Sequence, residues 1–409
     1  MTSLSTPAAL FSLESLRRHW ARRQGLGATG LSAAAVVETT GWVRSLGGAD
    51  PYLGLLARSA ALTREAVDAA IAAGEIAVSP AARGCMYLVS RGDRALALAV
   101  AERQSRLRSE RELQKLGVPA EELDALGDAI LAALTRAPLD TTALRTALPK
   151  GSVRNLGEAG KKAGVTSPLP AALRRLEFAG LIGRVPIGDR LDTERYLWGR
   201  LPEPLAAFSG DPVRALAERV LRWGSPVRVS DLATWSGFGK REVEAAIAGI
   251  DGQSERAIDG ESEHAISLAV DVTDAPLDDP SDGYSLLPFE DALYALHGGA
   301  RWLVPTEFRD RPVARWGMGG KAPLGETAHL GQRALVQGGA IVGLWDYDPD
   351  AREVVARTFS SQPTDPDGLR RAVAATGAFL RDQVGHGRSF ALDTDDALRA
   401  RTADLRGPS

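Results

Sequence analysis

Asp346, Asp348 and Asp350 stand at the one-three-five spacing with which a calcium loop begins, and oxygen ligation of a hard cation is the chemistry that spacing offers. Such a loop also needs Gly at its sixth position and Glu at its twelfth. Ala351 and Arg357 stand there, so the run reads as a turn. Gly319-Gly320-Lys321 offers a phosphate cradle, but the upstream glycine and the following Ser or Thr are missing. The five histidines, 19, 264, 297, 329 and 386, have no metal-ligand spacing, so no metal and no cofactor are expected. No G-x-S-x-G elbow supports a serine hydrolase. Cys85, the single cysteine, excludes an internal disulfide and a cysteine-rich zinc site, and its apolar strand context makes it a core residue. What remains is arginine, whose fork suits phosphate. Arg174 and Arg175 are adjacent on one helical segment. Arg94, Arg103, Arg106, Arg108 and Arg111 lie along another, which Glu102, Glu110 and Glu112 interleave, so that segment reads as a solvated helix with internal ion pairs.

The elements that would carry these side chains recur as one unit in three degenerate copies. The clearest lies at about 120–200. Helical periodicity runs from Glu121 to Arg136 through Leu123, Leu126, Ile130 and Leu134, and Thr141 to Leu148 is a second helix after the Pro138 break. Pro170 to Ala179 is a third, opened by a proline and stopped at Gly180. Leu181 to Ile187 and Arg195 to Trp198 then flank a Gly-Asp loop as a hairpin. Three helices and a hairpin make a winged helix, whose third helix commonly enters the major groove, and that helix bears Arg174 and Arg175. The third copy has helices at Pro212–Trp223, Val229–Ser236 and Lys240–Ile250, with a poorly marked strand near His264 to Val270. Glu242 and Glu244 on its last helix argue against close DNA contact. The first copy has helices at Leu13–Gln24, Ala33–Leu46 and Thr63–Ala73, and strands at Glu75–Val78 and Gly84–Val89. Beyond residue 284, hairpin signals around Gly338-Gly339, a third strand from Glu353 to Phe359, a helix from Asp367 to Gln383 and an edge strand from Ser389 to Leu392 suggest a small sheet or partial barrel.

The expected fold is therefore α+β, with three tandem winged helices and a small antiparallel, barrel-like β domain. The boundaries fall at 1–118, 119–202, 203–283 and 284–409. A chain of 409 residues exceeds one compact core, and 44% hydrophobic with 25% charged residues is ordinary for soluble protein. The start, Met1 to Leu10, lacks a signal peptide's basic and apolar regions, and no apolar run is long enough to span a membrane. A cytoplasmic protein, nucleoid-associated when on DNA, is expected. The net charge of −3 divides into +5, +2, −9 and −1 over those four blocks, so the first half is basic. Local field, not the total, governs phosphate binding. Much of the acid lies between Asp251 and Asp282, which reads as solvated surface or linker.

Gly41-Trp42-Val43-Arg44, followed by Gly47-Gly48-Ala49-Asp50-Pro51-Tyr52-Leu53-Gly54-Leu55-Leu56-Ala57-Arg58, resembles the AlkZ/YcaQ family of winged-helix DNA glycosylases. Ala73 to Ile76, Ala82 to Val89 before Asp93, Leu286 to Asp291, and Val336 to Asp346 continue the likeness in order, over nearly the whole chain. The resemblance implies excision of alkylated, including crosslinked, bases from damaged double-stranded DNA. It also implies a Gln-x-Gln or Gln-x-Asp motif that holds the attacking water. Here the chain departs. Alignment without a gap puts Thr40-Gly41-Trp42 at the motif, and a gap puts Gly48-Ala49-Asp50 there, which keeps only the carboxylate. The histidine common in the family's later strand is Tyr87.

Base excision needs a group that stabilises the developing sugar cation and orients water. Asp50 is the candidate, although an Asp-Pro pair after Gly-Gly is also a usual turn or cap. Arg44, Arg58 and Arg83 are candidate phosphate contacts beside Arg174 and Arg175, with ion pairs to Glu38, Asp50 or Glu75 as the competing reading. Thr40, Trp42, Tyr52 and Tyr87 are candidate pocket-lining residues. For Trp42, a helical stripe with Ala35, Thr39 and Leu46 also fits packing, and the two tyrosines fit a packed position too. Two functions stand: a glycosylase for bulky N-alkylated or crosslinked purines with an altered motif, or a non-catalytic DNA-binding regulator or lesion-shielding protein. Winged helices serving only as protein-interaction surfaces are a third. A monomer is expected.

Overall fold

The computed structural model describes residues 12–193, 195–250, 253–257, 264–268, 282–315, 319–390 and 392–407. Helix α1 (Leu13–Arg23) is capped by Ser12, whose hydroxyl accepts from Ser15 N–H. It does not join the unit that follows it. Its buried face, Leu16, Trp20 and Ala21, packs with Leu287, Trp302, Val304 and Ile341 near the other end of the chain. Arg17 donates to the carbonyls of Trp302 and Val304, both at 2.8 Å.

The first unit runs α2 (Ala33–Thr40), β1 (Val43–Arg44), α3 (Asp50–Leu56), α4 (Arg64–Ala72), β2 (Ile76–Pro80), β3 (Met86–Ser90). The antiparallel sheet order is β1-β3-β2. The helix expected over Ala33–Leu46 ends at Thr40, because Gly41 takes φ +118° and turns the chain into β1. Trp42 is therefore not on a helical stripe. The long helix α5 (Arg94–Lys115) is only partly solvated: Leu96, Ala97 and Val100 enter the core, and Arg103 pairs with Glu242 at 3.1 Å.

The second unit runs α6 (Ala120–Ala133), α7 (Thr141–Ala147), α8 (Gly157–Lys162), α9 (Leu169–Phe178), β4 (Ile182–Pro186), β5 (Tyr196–Arg200). Its extra strand position is a single bridge, Leu139 to Trp198. Its leucine-rich core takes in Leu113 of α5, while Leu191 joins the core of the first and third units. The third unit runs α10 (Pro212–Gly224), α11 (Val229–Ser236), α12 (Lys240–Ala248), β6 (Gln253–Ala257), β7 (His264–Leu268), with Val227 bridging to Ile266. Thus part of the acidic run read as a linker is a hairpin, and its remainder, Asp282 apart, lies outside the described residues.

Next come β8 (Tyr284–Leu286), α13 (Ala292–Ala295), β9 (Pro312–Ala314), β10 (Lys321–Pro323), β11 (Arg333–Gln337), β12 (Ala340–Asp348), β13 (Glu353–Thr358), α14 (Pro366–Ala378) and α15 (Asp395–Arg406). The main sheet is antiparallel with order β13-β12-β11-β8, and β9 pairs with β10. The Gly338-Gly339 turn has both residues at positive φ, as a two-residue hairpin requires. Asp346, Asp348 and Asp350 hold α15. Asp346 takes Arg401, Asp348 takes Arg406 at 2.5 Å, and Asp350 takes Arg399 at 2.9 Å. The edge strand expected at Ser389–Leu392 does not form; residues 389 and 390 are irregular, and residue 391 lies outside the described residues. No helix among the described residues is long and apolar enough to cross a membrane.

Candidate functional site

Three segments meet beside the start of α3: the loop after β1, the turn Pro288-Phe289-Glu290-Asp291 before α13, and residues 387–390. The loop can approach so closely because of Gly48, at φ +65°. Ala49 N–H donates to Arg388 O at 2.6 Å, and Gly48 N–H to Asp192 O at 3.1 Å. A Cβ on Gly48 would lie 2.3 Å from the carbonyl carbon of Ser389. Backbone cannot yield as a flexible side chain does, and the left-handed conformation adds its own strain. Gly48→Ala is therefore expected to lose about 2 kcal/mol of stability, read as the denaturant midpoint. An unchanged midpoint would mean that this approach is not tight.

Asp50, at the first position of α3, faces this junction with its side chain 15% exposed. Its Oδ1 accepts from Arg333 Nη2 at 2.7 Å and Nε at 3.1 Å, and its Oδ2 accepts from Phe289 N–H at 3.0 Å. Burial holds its carboxyl above the usual range, against the pull of Arg333. Arg333 is fully buried and also donates to Asp346 at 3.1 Å, Gly387 O at 2.8 Å and Ser389 Oγ at 2.6 Å.

Two more carboxylates stand in the neighbouring turn. Asp291 caps α13 and forms a two-pronged pair with Arg58 at 2.7 and 2.8 Å, both side chains 1% exposed. Glu290 is 30% exposed and takes Arg44 Nε on its Oε2 at 2.8 Å. Arg44 in turn lies over the Tyr87 ring, 5.3 Å from its centroid. Around these charges run Val43, Leu46, Phe289, Leu330 and Phe390, with His329 at the rim. The result is a cleft with an apolar lining, two arginines (Arg44 and the paired, buried Arg58) and three carboxylates, suited to a cationic or cation-developing ligand tethered to phosphate.

The other sequence candidates divide sharply. Arg58 cannot meet a phosphate: it is in the core, also donating to Gly54 O and Gln24 Oε1 at 2.9 Å each. Its partner is Asp291, none of the carboxylates named from sequence. Thr40, Trp42, Tyr52 and Tyr87 do not line the cleft but lie in the core, 1–3% exposed. The Trp42 indole donates to Asp93 at 3.2 Å and packs against Trp223 and Trp235 at 5.4 and 6.2 Å. Tyr52 bonds Asp68 at 2.5 Å and accepts from Leu191 N–H at 2.9 Å, which fixes the loop of the β4–β5 hairpin. Arg83 is exposed at the tip of the β2–β3 hairpin, with φ 57° and its Cγ against Gly237. Arg174 and Arg175 are exposed on α9, with Arg175 paired to Asp124 at 2.8 Å. Helix α4, by contrast, ties Arg64 to Glu65 and Asp68, and its first N–H donates to Gln383 Oε1.

Sequence reasoning missed Gln24, Glu290, Asp291 and Arg333. The segment Leu286 to Asp291 was visible as a motif, but nothing local marks Arg333, 283 positions from Asp50. Among the described residues no group of three or more His, Cys, Asp or Glu side chains is placed to hold a metal.

A family model described as AlkZ-like, DNA glycosylase AlkZ-like, matches residues 32–382. Among solved structures the chain is similar to the DNA glycosylase AlkZ of Streptomyces sahachiroi, with a TM-score of 0.68 and 18% identity over 93% of this chain and 99% of that one. At that identity the likeness concerns the fold. No curated protein matches.

Proposed function

Because the chain belongs to the AlkZ-like DNA glycosylase family, we propose that it excises bulky N-alkylated purines, crosslinked ones included, from duplex DNA at the cleft beside α3. The first unit has the order helix–strand–helix–helix–strand–strand. The other two match it with a single bridge in place of the first strand, and the second adds one helix, α8. They are read here as three winged helices, with the C-terminal sheet as a half-barrel. The observation that carries the proposal is the carboxylate cluster of Asp50, Glu290 and Asp291 around one apolar cleft, with Arg44 at its side. An N-alkylated purine already carries positive charge, so its departure needs little acid catalysis. What the site must supply is negative charge near the sugar and a held water. Exposed Arg83, Arg174 and Arg175 serve as phosphate contacts of the duplex, and the protein acts as a monomer. The β4–β5 loop and the start of α4 are engaged within the protein, which leaves α9 the most cationic of the three third helices.

A second reading, a DNA-binding protein without chemistry, is favoured by one observation: Asp50 is already satisfied by Arg333 and Phe289. The test is incubation with a duplex carrying N7-methylguanine, scored by cleavage at the abasic site. Scission above the spontaneous rate is expected. A salt-sensitive gel shift without scission would instead select the second reading. In either case the triple change Arg83→Ala, Arg174→Ala, Arg175→Ala is expected to lower duplex affinity and flatten its salt slope by about one per lost contact. An unaltered slope would remove these three from the interface.

A further inference from the structure

We propose that Glu290, rather than Asp50, is the carboxylate that meets the sugar and the attacking water, an assignment that rests on the excision reading above. The three carboxylates of the cleft differ in what is left of them. Asp291 gives both oxygens to Arg58 and is 1% exposed. Asp50 gives Oδ1 to two nitrogens of Arg333 and Oδ2 to Phe289 N–H, within a network that also ties Ser389 and Asp346. Turning Asp50 toward a ligand would leave the fully buried Arg333 short of its partner, at a large electrostatic cost. Glu290 has one ionic partner, Arg44, on Oε2. Among the described residues its Oε1 carries no protein hydrogen bond, and the side chain is the most exposed of the three, at 30%.

The surroundings fit the task. Arg44 holds the carboxylate in place from β1 and presents a cation at the same mouth, where a phosphate flanking the reacting nucleotide would lie. The groups facing Glu290 across the cleft are Arg44, Asp50, Asp291, Arg58 and His329. The cleft leaves about 50 Å³ for the centres of water-sized molecules. At roughly 10–15 Å³ for each water, a few waters can be held there beside Glu290. Water attacks C1′ as the C1′–N9 bond breaks. The bonding pair passes to the purine ring and neutralises its alkyl cation. Glu290 Oε1 takes the proton from the attacking water and releases it to solvent, leaving a neutral base and an abasic site.

The test compares full-length wild type, Glu290→Gln, Glu290→Asp, Asp50→Asn and His329→Gln on an N7-methylguanine duplex, with duplex affinity, melting midpoint and the pH profile of single-turnover excision. Glu290→Gln is expected to lower the rate about a hundredfold or more, to abolish the acid limb of the profile, and to leave affinity and melting midpoint near wild type. Glu290→Asp is expected to recover part of the rate, and Asp50→Asn to lose melting temperature along with rate. A wild-type rate in Glu290→Gln overturns the assignment while leaving excision standing. So does an acid limb that disappears only in His329→Gln. Wild type that binds the duplex without excising the base removes the excision reading itself, and this is seen before any variant is made.

Discussion

Arg58→Ala is expected to cost about 3–5 kcal/mol of stability, a large part of the roughly 5–15 kcal/mol that holds a typical domain folded. The arginine joins α3 to the turn before α13 through two short bonds to Asp291, and it satisfies Gln24 as well. Gln24 in turn donates to the carbonyls of Thr40 and Trp223, so one guanidinium organises the ends of α2 and α10 at second hand. Removing it leaves a buried carboxylate with only the Leu293 N–H and no counter-charge, and takes the guanidinium donor from the buried Gln24 amide oxygen; the loss of those partners is what costs. Chemical denaturation checks the prediction. The companion variant Arg58→Met with Asp291→Leu, which removes both charges together, is expected to recover most of the loss. DNA affinity that falls in Arg58→Ala while the denaturation midpoint holds would restore the residue to the DNA interface. Affinity and midpoint falling together is the expected result, so a binding assay alone would mistake a core residue for a phosphate contact.

That contrast shows what a sequence can and cannot display. Helices announced by local chemistry were legible: Pro170 at the start of α9 with Gly180 beyond its end, the Gly338-Gly339 hairpin, the Lys240 helix after Gly237. Elements held by distant partners were not. Strand β1 is two residues long, and its counterparts at Leu139 and Val227 are single bridges, too short for any period to register. Helix α3 hides behind Gly-Gly-Ala-Asp-Pro, which reads equally as a turn. Helix α15 has its signals, Thr394 as cap, Asp395 and Asp396 in the first turn and Arg406 in the last, but its buried face is only Leu398, Thr402 and Leu405, too sparse for a period to register. Its arginines meet Asp346, Asp348 and Asp350, so the acidic run that mimics a calcium loop is explained only once α15 is in place.

The site followed the same division. Asp50 and Arg44 were reachable from the likeness to the family, since both belong to one contiguous segment. Their partners, Arg333 and Glu290, come from 240 or more positions away, and no periodicity links them. Arginine on a sequence suggests phosphate because free guanidinium is usual at a surface. Burial against a carboxylate inverts that reading for Arg58 and Arg333, and burial is a property of the whole fold.

Acid is expected to destabilise the protein as the pH falls from about 6.5 toward 4, because two histidines are buried uncharged. His19 lies within hydrogen-bond reach of Ser225 O at 3.0 Å, and burial lowers its pKa to about 4, with Arg22 and Arg23 adding to the shift. His297 lies against Gly224 O at 3.0 Å and stacks edge-on with Trp20, 4.0 Å away. Burial, followed by Arg228 and His19, holds it well below its ordinary value. A folded pKa below the unfolded one means that the unfolded chain binds more protons in this window. Stability is therefore complete above about pH 6.5 and falls as the pH drops toward the folded value. For His19 the shift corresponds to roughly 3 kcal/mol at its acid end. Asp192 and Asp393 act later. In each, burial is outweighed by arginine partners and the carboxyl is held below its usual range, so their contribution is lost only under stronger acid. Denaturant midpoints at pH 7.5, 5.5 and 4.5 check this, with His19→Gln keeping a donor toward Ser225 and removing the titration. A flatter profile in that variant is expected. A profile identical to wild type would assign the acid lability to His297 and leave His19 protonated in the fold, where its neighbours Arg22 and Arg23 would make it a source of repulsion at every pH below 6.5.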